Sequence, residues 1–326
     1  MGRYVIYGAG AIGAVLGGLL ALAGRDVVLV ARGAHGEAMA REGLRLGSNA
    51  GEQVIRLPVV ADISAANPGQ DDIVVLAMKT QDAFKAMEEL VVIAGPGVPI
   101  FCAQNGLESE RAALRLFENV YGVLVFCSGA SLEPGVASYY HYPQAGVLDV
   151  GRFPGGVDAV AEAVAADFRL AGFDSVAQPD IMRWKRGKLI TNMVNPISAA
   201  CERPEAARDI VSAAQAEAEA AMRAAGLDFA TQEELKARAA GLRTATVEGR
   251  PFPGGSTFQS LARGARATEA DYLAGEVVLL GRLTGTPTPV NAGLQRLIRG
   301  MAQAGAPPRS MSPEALREAV MPSAPV

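Results

Sequence analysis

The chain is poor in the residues that build several common kinds of site. Its 326 residues include two histidines, three cysteines and one tryptophan. Two histidines exclude a histidine-rich metal centre, and no metal ligand set is expected. Neither His35 nor His141 adjoins a nucleophile motif, so a Ser-His-Asp triad has no support. Cys102, Cys127 and Cys201 are too few and too scattered for a disulfide framework or a zinc site. The net charge of -4, with no basic run longer than Arg183 to Lys188, argues against a nucleic-acid surface. What remains is ample for large cores, since half the chain is hydrophobic and a fifth is charged. The length suggests two domains.

Charge is absent altogether from residues 4–24. Such a stretch after Arg3 reads either as a secretory signal or membrane span, or as the opening of a dinucleotide-binding domain. In the second reading a strand from Arg3 to Tyr7 runs into Gly8-Ala-Gly10-Ala11-Ile12-Gly13 and then a helix to about Ala23. Gly8 makes the turn, Gly10 admits a pyrophosphate, and Gly13 lets helix and strand pack closely. The unpaired amides and positive dipole end of the new helix would face the phosphates. The motif is weak alone, but Val27-Val28-Leu29-Val30 comes next as a second strand after Gly24-Arg25-Asp26. That completes a βαβ unit of about 30 residues, the context the motif requires. The dinucleotide reading therefore stands, and a cytoplasmic chain without a membrane span is expected.

The residues just after the second strand choose the cofactor. A domain selecting NAD usually places Asp or Glu there, on the ribose 2′-hydroxyl. Here the strand runs into Ala31-Arg32-Gly33-Ala34-His35, with no carboxylate before Glu37. Arg32 offers a planar, permanently charged fork for a 2′-phosphate, which favours NADPH over the alternative of a solvated surface arginine. His35 reads as an exposed loop residue.

Strands and helices go on alternating through the first half. Asp72 to Met78 reads as a buried parallel strand, Asp82 to Val92 as a helix, and Val98 to Ala103 as the next strand. Val120 to Cys127, Ser138 to Tyr142 and Val147 to Val150 read as further strands. A helix from about Val157 to Leu170 and a strand from Asp174 to Gln178 close the domain. Lys79 and Asn105 fall just beyond strand carboxyl ends, where such sheets bind ligands, although loops supply polar residues there in any case.

From Ile181 the periodicity is helical. A helix over Ile181 to Asn195 would carry Lys188, Asn192 and Asn195 at i, i+4 and i+7 on one otherwise apolar segment. The stripe could be a seam satisfying neighbouring backbone groups. An amine with amide donors also suits holding a carboxylate and protonating a carbonyl oxygen. Helices over Glu205 to Ala225, Gln232 to Arg243, Arg266 to Gly281 and Asn291 to Ala302 are expected next. The implied organisation is α/β: an NADP-binding Rossmann-type domain over 1–179, an all-helical domain over 180–304, and a proline-rich flexible tail over 305–326 with a turn near Ser312 to Ala319.

These residues together resemble ketopantoate reductase. The likeness lies in Gly8-Ala-Gly-Ala-Ile-Gly13, Met78-Lys79, Gln104-Asn105-Gly106, Trp184-x-x-x-Lys188-x-x-x-Asn192, Asn195-Pro196 and Ser256-x-x-Gln259. Thr268-Glu269-x-Asp271-Tyr272-Leu273-x-Gly275 and Pro287-x-Pro289-x-Asn291 extend it, in order, over residues 3 to about 302. The resemblance implies NADPH-dependent reduction of 2-dehydropantoate to (R)-pantoate in pantothenate synthesis, at a cleft between the two domains. It implies that Lys188 donates the proton and that Glu269 is an active-site acid near the cofactor. It further implies substrate contacts from Asn192, Asn195 and Ser256, nicotinamide and substrate contact from Asn105, and cofactor contacts from Lys79 and Arg32. Asn195 stands three residues after Asn192 rather than four, Ala274 replaces a common asparagine, and one residue is inserted between Gln259 and Glu269. The expected partner is a small 2-keto acid, with a homodimer as a possible assembly and neither nucleic acid nor membrane involved. A related reductase of another 2-keto acid, or a non-catalytic NADP sensor, are the rival readings.

Overall fold

A computed structural model describes residues 2–321. Two units emerge, one built from residues up to Lys185 together with Glu233–Phe252, the other from Arg186–Gln232 and Pro253 onward. The first is organised by a seven-stranded sheet. Its order is Val147–Arg152, Val120–Phe126, Ile100–Cys102, Ile73–Leu76, Tyr4–Tyr7, Val27–Val30, Val59–Val60. All neighbours are parallel except the Val147–Arg152 and Val120–Phe126 pair, which is antiparallel.

Burial of both sheet faces explains the unbroken apolar strands. Tyr4 and Ile6 enter one core with Leu16, Leu29, Phe101 and Tyr121; the rings of the last two stack at 4.4 Å. Val5 and Tyr7 point the opposite way, into a second core with Val28, Val74, Leu76 and Ile100. From Tyr4–Tyr7 the chain first adds strands on one side and then returns to the other. This places the switch point, where such sheets take ligands, just beyond Tyr7.

The strand expected over Ser138 to Tyr142 forms as Val136–Tyr139 and His141–Tyr142, but the sequence reading does not anticipate the second, four-stranded sheet that Val136–Tyr139 joins with Gly51–Ile55, Leu44–Ser48 and Gly129–Ala130. The strand expected over Asp174 to Gln178 is reduced to isolated bridges beside Val147 and Val150.

The expected boundary near residue 180 also needs correction. Residues 233–252 return to the first unit, where Arg243–Thr244 pairs with His141–Tyr142. Arg238 is clamped between Asp149, at 2.6 and 2.8 Å, and Asp174, at 2.7 and 3.0 Å. Asp149 is fully buried, so this guanidinium supplies the charge that the carboxylate needs. Only Gln232–Arg238 of the expected Gln232 to Arg243 helix forms.

The second unit is helical. Arg208–Ala224 buries Ile210, Ala214, Ala218 and Ala221 on one stripe, and Pro289–Ala304 buries Val290, Leu294, Ile298 and Met301. Glu217 receives the backbone N–H groups of Val290 and Asn291 and the Asn291 amide, all at 2.8–2.9 Å. That carboxylate caps the last long helix and gives Asn291 a structural role. The expected flexible tail is not free. Pro313–Val320 is a helix with Ser312 as its N-cap, Leu316 and Val320 are buried, and Arg317 pairs with Asp209. The tail docks because a Cβ at Gly293 would lie 2.8 Å from Val320, so glycine there admits close approach. Residues 322–326 of that expected tail lie outside the described residues. Among the described residues no helix is long and apolar enough to cross a membrane.

Candidate functional site

In the first unit the candidate residues collect at the carboxyl ends of adjacent parallel strands. Gly8 comes after Tyr4–Tyr7, Arg32 after Val27–Val30, Lys79 after Ile73–Leu76, and Asn105 after Ile100–Cys102. The loop is tied across strands: the amides of Gly8 and Ala9 both donate to the Val30 carbonyl at 3.1 Å.

Neighbouring atoms require glycine at two of the three positions and leave the third open. Gly8 has φ +100°, and a Cβ there would lie 2.5 Å from the Met78 nitrogen. A Cβ on Gly13 would strike the Gly8 carbonyl oxygen at 2.3 Å. Gly10 has an ordinary φ of -77°, and a Cβ there would meet nothing within 4 Å. No protein neighbour demands glycine at Gly10, so the space beside it is a cradle for something else. The helix Ala11–Leu22 begins at that point with no side-chain cap and no acidic residue in its first turn. Its first amides, those of Ala11, Ile12 and Gly13, have no intrahelical acceptor. A bare helix N-terminus beside open space fits the pyrophosphate of a dinucleotide.

Arg32 is exposed and is the N-cap residue of the helix Gly33–Glu42, with no side-chain bond to that helix. Lys79 is the half-buried N-cap residue of Thr80–Ala94. Asn105 is half-buried before Gly106, whose φ is +91°. His35 departs from expectation. It lies in Gly33–Glu42, half-buried, with both ring nitrogens bonded.

Sequence reasoning also missed Lys185, which sat unremarked in a basic run. Its Nζ lies 2.6 Å from Glu110 Oε1 and donates to the carbonyls of Gln104, at 2.8 Å, and Cys102, at 3.3 Å. Both members of the pair are buried. They hold the backbone that leads into Asn105. The available signal was a lysine in a segment otherwise marked for burial by Ile181, Met182 and Leu189.

The expected single helix breaks in two, Ile181–Thr191 and Val194–Ala200, with Arg186 onward belonging to the second unit. Pro196 explains the break, because its ring excludes a helical carbonyl four residues back, at Asn192. Lys188 and Asn192 keep their one-turn spacing through the Asn192 N–H to Lys188 carbonyl bond of 2.9 Å. Asn195 falls on the next helix instead. Its Oδ1 lies 3.2 Å from where a Cβ on Gly255 would be, next to Ser256 at the first turn of Ser256–Ala262.

Lys188 is half-buried, and desolvation draws its ammonium down from 10.5 to about 8. Burial is the one cause of that shift. Asn192 is 4% exposed, and its Nδ2 finds no acceptor among the described residues. Glu269 is half-buried at the start of the turn Glu269–Tyr272, which Thr268 caps. Ala274, the apolar departure, is buried as the first residue of the helix Ala274–Thr284.

Residues 4–155 match the family described as Ketopantoate reductase PanE/ApbA, and residues 180–302 match Ketopantoate reductase PanE/ApbA C terminal. The chain belongs to the ketopantoate reductase family. A 2-dehydropantoate 2-reductase of Archaeoglobus fulgidus is 32% identical over 311 residues, covering 92% of this chain and 97% of that relative. A solved PanE/ApbA family ketopantoate reductase from Ralstonia eutropha JMP134 has a TM-score of 0.76 at 27% identity, covering 93% of this chain and 99% of the other. A D-mandelate dehydrogenase, solved with NADH and anilino(oxo)acetate, has a TM-score of 0.79 at 20% identity over the same shares, a likeness of fold. Membership makes the chain an oxidoreductase that uses a nicotinamide dinucleotide.

Proposed function

We propose that this protein reduces 2-dehydropantoate to (R)-pantoate with NADPH, in the cytoplasm, as a step of pantothenate synthesis. The observation that carries the catalytic part is the pairing within one unit of a desolvated amine and an orphaned amide. Lys188 has an ammonium drawn down to about 8, and one turn on, the buried Asn192 Nδ2 has no acceptor among the described residues. A buried donor without a partner costs about 1–3 kcal/mol, a cost that a substrate oxygen would relieve. The relatives named 2-dehydropantoate 2-reductase support the substrate.

In this reading Gly8, Gly10, Ala11, Ile12 and Gly13 hold the pyrophosphate, while Arg32 takes the 2′-phosphate. Lys79, Asn105 and Glu269 complete the cofactor contacts. The bound dinucleotide supplies the hydride. Lys188 protonates the ketone oxygen as it gains charge, its lowered proton affinity easing release of the proton near neutral pH. Asn192, Asn195 and Ser256 hold the substrate carboxylate as neutral donors, Asn105 also touches the substrate, and Glu269 serves as an active-site acid. A homodimer is the proposed assembly.

The test measures NADPH oxidation by absorbance over a panel of 2-keto acids. 2-Dehydropantoate should give the highest kcat/KM. A preference for another member of the panel overturns the substrate, and tight NADPH binding without turnover on any member overturns catalysis.

A further inference from the structure

One imidazole joins the glycine-rich loop to the helix that starts after Arg32. His35 Nε2 lies 2.9 Å from the Ala9 carbonyl oxygen, and its Nδ1 lies 3.0 Å from the Gly135 backbone nitrogen. A carbonyl can only accept and a backbone N–H can only donate. The tautomer is therefore dictated: Nε2 carries the proton and Nδ1 is the acceptor.

The three parts so joined are far apart in sequence, Ala9 lying 26 residues before His35 and Gly135 100 residues after it. Ala9 stands between the first two glycines of the loop. Gly135, with φ +76°, precedes the strand Val136–Tyr139 of the small sheet and lies so near Ala38 that a Cβ there would be 3.0 Å from the Ala38 Cβ. His35 sits on Gly33–Glu42, where a Cβ on Gly36 would strike the Ala31 carbonyl oxygen at 2.1 Å.

The Ala9–Gly10 peptide is held on both sides. Its N–H donates to the Gly8 carbonyl at 2.8 Å, and its carbonyl accepts from His35. In a trans peptide these groups point in opposite directions, so the two bonds together fix the rotation of the plane. That plane leads directly into Gly10 and the uncapped amides of Ala11, Ile12 and Gly13.

We propose that His35 is a positioning residue for the dinucleotide pyrophosphate, aiming the Gly10 loop and the helix N-terminus through the Ala9 carbonyl. The inference rests on the dinucleotide reading of this loop and not on the preference for NADPH. The pyrophosphate is common to NADPH and NADH, so His35 acts on both alike, whereas Arg32 acts on the 2′-phosphate alone.

The experiment compares full-length His35→Ala, His35→Gln and His35→Asn with the wild type. It measures Kd for NADPH and for NADH by fluorescence titration, together with kcat at saturating cofactor and a thermal melt. His35→Ala loses the bonds to both Ala9 and Gly135, and loss of the Ala9 bond should raise both Kd values by about tenfold, with kcat within about twofold of wild type. A Gln side chain reaches about as far as Nε2 and restores the bond to Ala9, so it should recover most of the affinity. An Asn reaches only about as far as Nδ1, toward Gly135, and should recover little. If His35→Ala is folded and binds both cofactors within twofold of wild type, the proposal is overturned. Recovery by Asn equal to that by Gln overturns it too, and this comparison decides the matter if His35→Ala does not fold. Loss confined to NADPH likewise overturns it. A wild type that binds NADH as tightly as NADPH removes the NADPH reading while leaving the equal-loss test of His35 intact.

Discussion

Replacing Lys188 by Met should make the protein more stable and almost inactive at once. Desolvation lowers the Lys188 ammonium from 10.5 to about 8, so keeping it charged in the folded state works against folding. Full expression of that shift is worth about 3 kcal/mol, from roughly 1.4 kcal/mol for each pH unit. Part of the side chain is exposed, which reduces the expected gain in Lys188→Met to about 1–2 kcal/mol at pH 7. The sign also sets a pH signature. Between about pH 8 and 10.5 the unfolded chain holds a proton that the folded chain has released, so wild-type stability from this group rises with pH across that window. Lys188→Met should lack that rise. Urea unfolding at pH 7 and pH 10 measures both effects. The wild-type kcat/KM profile should fall above about pH 8 as the proton donor is lost, and kcat in the variant should drop by about 10²–10⁴. A variant less stable than wild type at pH 7, or one keeping more than about a tenth of kcat, refutes the reasoning.

Arg32→Ala should weaken NADPH by about ten- to a hundredfold and leave NADH nearly unchanged, from loss of one charge-assisted phosphate contact; equal losses for the two cofactors would remove Arg32 from 2′-phosphate binding. Asn192→Ala should mainly raise KM for 2-dehydropantoate, by the equivalent of about 1–3 kcal/mol, and a keto ester should be a poor wild-type substrate that is insensitive to the change. Efficient reduction of the ester argues against carboxylate anchoring. Arg238→Met should destabilise the first unit by about 3–5 kcal/mol in denaturant titration, because it leaves the buried Asp149 carboxylate without its cation. A loss below about 1 kcal/mol would mean that Asp149 is satisfied without Arg238.

The elements that could be read from sequence were those whose pattern is local. Val27-Val28-Leu29-Val30 is a strand at the bounds expected, and Gly8, Gly10 and Gly13 stand at the turn that their spacing implies. Leu44–Ser48 and Gly51–Ile55 escaped notice because exposed Glu52, Gln53 and Val54 give the hairpin no clean apolar alternation. The tail was misjudged for a different reason. Its prolines read as breakers, yet Pro313 after Ser312 is a helix-start signal, and Leu316 and Val320 come after it at i, i+4 spacing. The return of Glu233–Phe252 to the first unit is held by distant partners: Arg238 meets Asp149, 89 residues away, and Arg243–Thr244 pairs with His141–Tyr142. Helical periodicity shows which face is buried but not which partner buries it.

The candidate site divides along the same line. Lys188 and Asn192 were legible because i, i+4 spacing survives in any helix, whereas Asn195 required the helix to continue through a position that Pro196 forbids. Lys185 and His35 were the residues least visible in advance. Their work is done on backbone atoms: Lys185 on the carbonyls of Cys102 and Gln104, His35 on the Ala9 carbonyl and the Gly135 amide. Every residue owns such atoms, so no side-chain motif marks the recipient. The residues offered for contact with ligand therefore stand out in sequence, while those that aim the loops beneath them emerge only when the backbone is in place. In this chain one such residue lies three positions after Arg32 and the other three before Lys188. Substitutions within either short segment need separate readouts for contact with ligand and for aim of the loop, since loss of either would lower affinity or turnover.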